Sequence, residues 1–301
     1  MIMDKEFAPI EQNDSLPITP SNASSKRVRF TFILTVLGWM GGFICVQVIG
    51  GLIYCVLSAI ISYLLYDDFA MVWELEHFTF ACSLASAIFM PCVCMLLAAS
   101  KKEVGKSFKQ KFSDYTHIHR LPVVQCLQYI AIGVFMAFIS GLIVTMIVLL
   151  FDNENLLGSA INIEYTVLSG VSVIFFAPIG EEILMRCLVF DTLKKYQSEK
   201  RANVSQSILF GLLHGVSLQT LYTAFFGWFV GREVQKNNNL TCSLMMHLGF
   251  NLGAGLNCIF PTLGDFPIYN IGILIVSFYG CYVFGNILIQ DRKTKTIERS
   301  D

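Results

Sequence analysis

Apolar runs long enough to cross a lipid bilayer cover most of this chain of 301 residues. A spanning helix needs about 20 consecutive apolar residues, and hydrocarbon tolerates only helices and closed barrels as spanning structures. Only 14% of the residues are charged, against about 25% in an average soluble domain. The pattern predicts an all-α, polytopic membrane helix bundle, and it gives no reason to expect nucleic-acid binding.

The apolar runs predict about eight transmembrane helices. The expected helices cover residues 30–66, 78–99, 123–151, 165–190, 204–230 (as two short helices joined by a tight turn), 240–260 and 268–290. Basic loops stay in the cytosol, and basic segments such as 101–120 alternate here with acidic ones such as 67–76 and 152–164. This alternation predicts that the N-terminus and the C-terminus are both cytosolic, with a surface helix in segment 101–120.

Four ionisable side chains, Glu181, Glu182, His214 and His247, lie inside the apolar runs. Each costs several kcal/mol at membrane depth unless it faces protein or water, so such residues usually have a function. At about 1.5 Å per residue, Glu181, His214 and His247 lie at similar depths in three different helices. Their common depth predicts a shared, water-accessible cavity that opens toward the cytosol.

Spacing within the helices adds detail to this cluster. Glu182 and Arg186 are four residues apart, which allows an ion pair along one helix face. Glu181 points about 100° away from Glu182, so it is free to face a substrate. The structural alternative is that the Glu182–Arg186 pair stabilises the fold and has no catalytic role.

Two further four-residue steps place a second residue on the same face as a histidine. His247 and Asn251 can aim at one ligand atom, and Phe210 offers an apolar wall beside His214. Two structural alternatives stay open: Asn251 can cross-link helices by hydrogen bonds, and Phe210 can be an ordinary core residue.

The motifs in this order resemble one family. Residues 181–186 match EExxxR, residues 210–214 match FxxxH and residues 247–251 match HxxxN. Together they resemble the CPBP family of CAAX proteases and bacteriocin-processing membrane peptidases, also called ABI. The similarity spans about 165–260. Met185 and Cys187 depart from the aromatic residue and the glycine that often flank the motif arginine in this family.

The resemblance implies an intramembrane endopeptidase that hydrolyses a peptide bond in a membrane-associated or lipidated protein or peptide. It implies that Glu181 activates water with help from His214, while His247 and Asn251 donate to the oxyanion. With the polar ends and the apolar runs, the chain is expected to have the following organisation: a flexible cytosolic tail (1–28), N-terminal transmembrane helices (29–164), the catalytic core that the resemblance implies (165–260), a last transmembrane helix (261–290) and a second cytosolic tail (291–301).

The resemblance leaves the metal requirement open. The catalytic set is expected to act without a bound metal, and this set comprises Glu181, Glu182, Arg186, His214, His247 and Asn251, with Phe210 in the substrate pocket. Two histidines and one glutamate also suit zinc with an open fourth position, and that site would use Glu181, His214 and His247. The zinc-peptidase motif HExxH is absent.

Two other classes of protein use the same residue types. Carboxylates and histidines in a membrane cavity also build proton-coupled transporters, although the chain shows no repeated halves of the kind that transporters often have. A catalytically silent immunity or binding protein is the third interpretation, and such a protein would not need Glu181. The expected location is a bacterial plasma membrane, with the endoplasmic reticulum as the alternative.

Overall fold

The structure is a computed structural model that describes residues 22–66, 75–103, 105–151, 166–259 and 267–297. The described residues form helices and no strands, which confirms the all-α bundle. The helices are α1 (Asn22–Tyr66), α2 (Leu75–Ser100), α3 (Phe108–Thr116), α4 (Val123–Phe151), α5 (Val167–Val171), π1 (Ser172–Phe176), α6 (Ala177–Glu182), π2 (Ile183–Val189), α7 (Phe190–Lys194), α8 (Glu199–Leu213), α9 (Leu218–Asn237), α10 (Leu240–Ile259) and α11 (Pro267–Ile297).

Most expected helices are present, and 204–230 is indeed a pair of helices, α8 and α9. Helix α1 begins earlier than the expected first span, so residues 22–28 are helical. The tail residues 1–21 and the acidic loops 67–74 and 152–165 lie outside the described residues. The alternation of loop charges, and with it the cytosolic placement of both termini, stays a prediction.

Four of the described helices are long and apolar enough to cross a membrane. They cover Phe30–Leu65, His77–Ser100, Val123–Val148 and Ile271–Asp291. The helices between α4 and α11 are shorter or more polar, and they carry the ionisable residues. The total of about eight crossings therefore stays a prediction.

The long helix α1 packs closely against α2 because glycines remove side chains from their contact. A Cβ at Gly50 would overlap Ala85, and a Cβ at Gly51 would overlap the ring of Phe78. Small residues allow membrane helices to approach in this way. Residues 30–66 therefore form one continuous helix that packs beside α2.

Helix α3 lies in the segment where a surface helix is expected, and the residue that follows it contacts the start of α10. Ser107 begins it with a capping box, in which its hydroxyl accepts from the Gln110 backbone N–H. Lys106 lies 2.8 Å from Asp114, and this hydrogen bond lowers the pKa of the Asp114 carboxyl. After the helix, the His117 carbonyl accepts from the Leu240 N–H at 2.8 Å.

The residues from α5 to α7 form a continuous run in which two π-helical segments interrupt the α-helix. Segments π1 and π2 lie on either side of α6, the short α-helix that ends with Glu181 and Glu182. π-Helical segments inside α-helices often mark functional sites, and they change the direction of the side chains that follow. The regular sequence pattern did not predict them.

Helix α10 packs against α4 at backbone distance. A Cβ at Gly249 would overlap the Ile130 carbonyl oxygen, and a Cβ at Gly133 would overlap the Met246 carbonyl oxygen. These glycines let two helix backbones touch beside His247. The position of this histidine therefore depends on the absence of side chains at this contact.

We expect Gly249→Ala to lower the free energy of unfolding by about 1–3 kcal/mol, because the added methyl must push two backbones apart. The measurement is thermal unfolding of the detergent-solubilised protein. Gly41→Ala is the matched control, since a Cβ at Gly41 meets nothing within 4 Å. Equal thermal stability of the two variants would contradict the close α4–α10 contact.

Candidate active site

Glu182 and Arg186 form a buried ion pair at the centre of the bundle. The Arg186 Nε lies 3.0 Å from Glu182 Oε2, and the two side chains are 1% and 0% exposed. Arg186 Nη2 also donates to Glu182 Oε1 at 3.3 Å. The pair expected from the four-residue spacing is therefore formed, and it neutralises two charges that burial would otherwise penalise severely.

A hydrogen-bonded chain connects this ion pair to the α8–α9 hairpin. Arg186 Nη1 donates to the side-chain oxygen of Gln206. Gln206 in turn donates from Nε2 to Asn203 Oδ1 at 2.8 Å and to the Gly227 carbonyl at 3.1 Å. Asn203 donates to the Trp228 carbonyl at 2.9 Å. The chain satisfies donors that would otherwise be buried without acceptors.

Sequence reasoning missed Gln206 and Asn203, although both are buried and polar. They lie in α8 at positions i and i+3, and they face α9 through its backbone carbonyls. Two amide side chains on the buried face of one short helix were the available signal. Two of their partners, the Gly227 and Trp228 carbonyls, are backbone atoms, which no residue pattern reveals.

His247 lies between the two glutamates. Its Nδ1 is 2.9 Å from Glu182 Oε1, and its Nε2 is 3.6 Å from Glu181 Oε2. Because a carboxylate only accepts, Nδ1 carries a proton and donates to Glu182. The rings of Phe210 and Phe226 contact the imidazole edge-on, with centroids at 5.7 and 5.3 Å. This packing fixes the ring plane of His247 between its two acidic partners.

His214 is held at the point where α8 ends. Its Nδ1 lies 2.9 Å from the Phe210 carbonyl, one helical turn earlier. A carbonyl only accepts, so Nδ1 must be the donor and Nε2 is the nitrogen left for a ligand. Gly215 follows with a φ of +92°, a conformation that favours glycine. The sharp turn there sends the chain into α9.

Glu181 and His214 line the same cavity. Its volume is about 120 Å³, which is room for several water molecules, since one water needs only about 10–15 Å³ of such space. The lining side chains are Phe43, Ile44, Gln47, Glu181, Leu213 and His214. Glu181 is 15% exposed, whereas its neighbour Glu182 is fully buried. The adjacent glutamates therefore point in different directions, one toward the cavity and one into the core.

Phe210 lies behind the lining of this cavity, and its expected place in the substrate pocket stays a prediction. Its ring is 1% exposed and packs against His214 at 4.9 Å and beneath the Arg186 guanidinium at 5.4 Å. These contacts place the ring between the histidine and the buried ion pair. The alternative interpretation, that Phe210 is a core residue, describes its place in the structure.

Asn251 serves as a link between helices. Its Nδ2 donates to the Val173 carbonyl of π1 at 2.7 Å. This contact matches the structural alternative for Asn251 better than a role aimed at the same ligand atom as His247. It fastens α10 to the run that carries both glutamates.

The described residues contain no group of three or more His, Cys, Asp or Glu side chains arranged to hold a metal ion. Of the zinc ligands considered above, His247 directs Nε2 toward Glu181 at 3.6 Å and Nδ1 toward Glu182, and the zinc site stays a prediction. His214 uses one nitrogen for the Phe210 carbonyl. We therefore derive no chemical step through a metal.

The geometry agrees with a comparison to known families. Residues 163–253 match the family model described as type II CAAX prenyl endopeptidase Rce1-like. The matched segment is similar to CAAX-type proteases, which indicates an intramembrane protease. No curated protein and no solved structure matches the chain. The match contains Glu181, Glu182, His214 and His247, whereas α1, with its part of the cavity wall, lies outside it.

We expect Arg186→Met to cost this protease about 3–5 kcal/mol of unfolding free energy, because it leaves the buried Glu182 carboxylate without its cation. The double variant Glu182→Gln/Arg186→Met should regain part of that loss, since a neutral amide can still accept from His247. The measurement is chemical unfolding in mild detergent.

The matched control is Lys194→Met, which removes a half-exposed ion pair with Asp191. Exposed pairs contribute about 0–1 kcal/mol, so this variant should unfold almost like the wild type. A double variant no more stable than Arg186→Met alone would contradict an uncompensated charge as the cause.

Proposed function

We propose that this protease hydrolyses a peptide bond of a membrane-associated peptide or lipidated protein with a water molecule activated by Glu181 and His214. The observation that carries the proposal is that these two side chains line one cavity with room for water. The remaining charged members of the cluster lie behind it in the core. The proposal assigns catalysis to the cavity and support to the core.

In the proposed first step, the water oxygen attacks the scissile carbonyl carbon and its proton passes to Glu181. A general base of this kind must lie within hydrogen-bond reach of the water. Neutral His214 has a free lone pair on Nε2, so it can accept the second hydrogen bond of the same water. The tetrahedral intermediate then loses its C–N bond, and Glu181 returns the proton to the leaving amine.

His247 is proposed to set the position of Glu181. Its Nε2 lies 3.6 Å from the Glu181 carboxylate, a distance that shortens to a hydrogen bond with a small movement. Glu182 and Arg186 hold His247 from the other side and contribute a fixed electrostatic field. A preorganised field of this kind can stabilise the charge that develops in the transition state.

Asn251 is proposed to act as a positioning residue. One proton of its amide is used by the Val173 carbonyl, so its first contribution is to keep α10 and π1 together. The second proton of the same amide is available to the oxyanion, so Asn251, together with His247, stays the proposed oxyanion donor, as the family resemblance implies.

The substrate is proposed to reach the cavity from the cytosolic side of the membrane, because basic segments flank the site helices in the sequence. A bacterial plasma membrane is the location that we favour, with the endoplasmic reticulum as the alternative. The chemistry requires a peptide bond at membrane depth and requires no particular lipid.

We expect Glu181→Gln to lower kcat by at least about 10²–10⁴-fold, the usual contribution of a general base. The measurement is cleavage of a panel of lipidated and unlipidated fluorogenic peptides by the protein in reconstituted bilayers. Wild-type cleavage should persist in a chelator, since the proposed step uses side chains alone. The amide has the shape of the carboxylate, so the fold should be retained.

Glu199→Gln is the control, because this glutamate lies exposed in the first turn of α8. It should cleave like the wild type. The proposal fails if Glu181→Gln cleaves at the wild-type rate. If a chelator abolishes cleavage and added zinc restores it, the metal-free step is wrong.

A further inference from the structure

Helix α1 completes the wall of the cavity opposite the protease motifs. It contributes Phe43, Ile44 and Gln47. Ile44 follows Phe43 directly and Gln47 comes three residues later, so the three share one side of the helix. Helix α1 lies outside the segment that matches the family model. Its cavity-facing residues are therefore a property of this chain that the motifs do not include.

Gln47 is the polar member of this wall. It lies within Phe30–Leu65, which is apolar enough to cross a membrane, and its side chain is half-buried. Its amide makes no hydrogen bond with any residue that the structure describes. A polar group in such surroundings costs free energy unless a partner pairs with it, and here it borders a cavity with room for a ligand.

A side-chain amide has two donors and one acceptor, and a peptide main chain offers the complementary groups in each residue. Regular helices and sheets already use those groups internally. A substrate segment that binds an amide through its backbone must therefore be extended and unpaired. The apolar neighbours Phe43 and Ile44 suit an apolar substrate side chain beside that backbone.

We propose that the side-chain oxygen of Gln47 accepts a hydrogen bond from a main-chain N–H of an extended substrate segment next to the scissile bond, with Phe43 and Ile44 contacting an adjacent apolar side chain. The inference rests on the proposed function, because it assumes that the cavity between Glu181 and His214 is where the peptide bond is cleaved. It adds the substrate class, which is an unfolded, locally apolar peptide segment that is recognised through its main-chain groups.

The test compares Gln47→Leu, Gln47→Asn and wild type on a cleaved fluorogenic peptide in reconstituted bilayers. A second set of peptides has the same sequence, and each of them carries one N-methyl group at a different amide that flanks the scissile bond. On the unmethylated peptide, we expect Gln47→Leu to raise KM about tenfold over wild type with little change in kcat. The hydrogen bond between Gln47 and the substrate exists in both the ground state and the transition state. Tenfold corresponds to about 1.4 kcal/mol.

The same change should disappear on one N-methylated peptide, which already lacks the backbone donor, and Gln47→Asn should restore part of the binding. A merely structural role would not depend on a methyl group in the substrate. The Gln47→Leu variant should fold like the wild type, since leucine suits a membrane helix better than glutamine. Val48→Leu is the control: this neighbouring residue is 49% exposed and lies outside the cavity wall.

Three results overturn the inference. Wild-type KM in Gln47→Leu, or the same loss on every methylated peptide, would mean that Gln47 does not bind the substrate backbone, while the proposed function would stand. No cleavage by the wild type of any peptide in the panel would overturn the proposed function together with this inference. The two failures are therefore distinguishable.

Discussion

The buried ion pair between Glu182 and Arg186 is the interaction on which the rest of the site depends. Removing two charges from water is costly, and only near-ideal geometry and further hydrogen bonds offset that cost. Here the 3.0 Å contact is supplemented by hydrogen bonds from Arg186 Nη2 to Glu182 and from Arg186 Nη1 to Gln206. Because Glu181 is the next residue along the chain, fixing Glu182 in the core also fixes where Glu181 can point.

The π-helical segments make this arrangement geometrically compatible with the neighbouring helices. A π-helical turn adds a residue and disturbs the regular pairing of carbonyls with N–H groups. The Val173 carbonyl in π1 accepts from the Asn251 side chain. Asn251 thus satisfies a carbonyl of the irregular segment and also sets the distance between α10 and the glutamates, so that one hydrogen bond serves both the fold and the site.

Much of this arrangement could be predicted from the sequence, because it depends on spacing. The helical pair at 204–230, the ion pair between residues four apart and the meeting of the glutamates with His247 all follow from helical periodicity and common depth. The burial of Phe210 could not be predicted, since a face shared with His214 does not say whether that face meets a cavity or a neighbouring helix. The π-segments depend on backbone geometry, and the Gly227 and Trp228 carbonyls that accept from Gln206 and Asn203 are backbone atoms, so neither carries a sequence signal.

The hydropathy of the helices explains why the number of crossings is harder to predict than the site. The apolar helices α1, α2, α4 and α11 expose large hydrophobic side chains, as a surface against lipid tails requires. The helices α8 and α10 turn polar side chains toward the α5–α7 run, and α8 also turns them toward α9. This inward placement lowers their average hydropathy without exposing those groups to lipid. A scale that averages over a helix cannot distinguish a polar face turned inward from one turned toward water. The polar residues that form the site are therefore the same residues that lower the mean hydropathy of its helices below that of a typical membrane span.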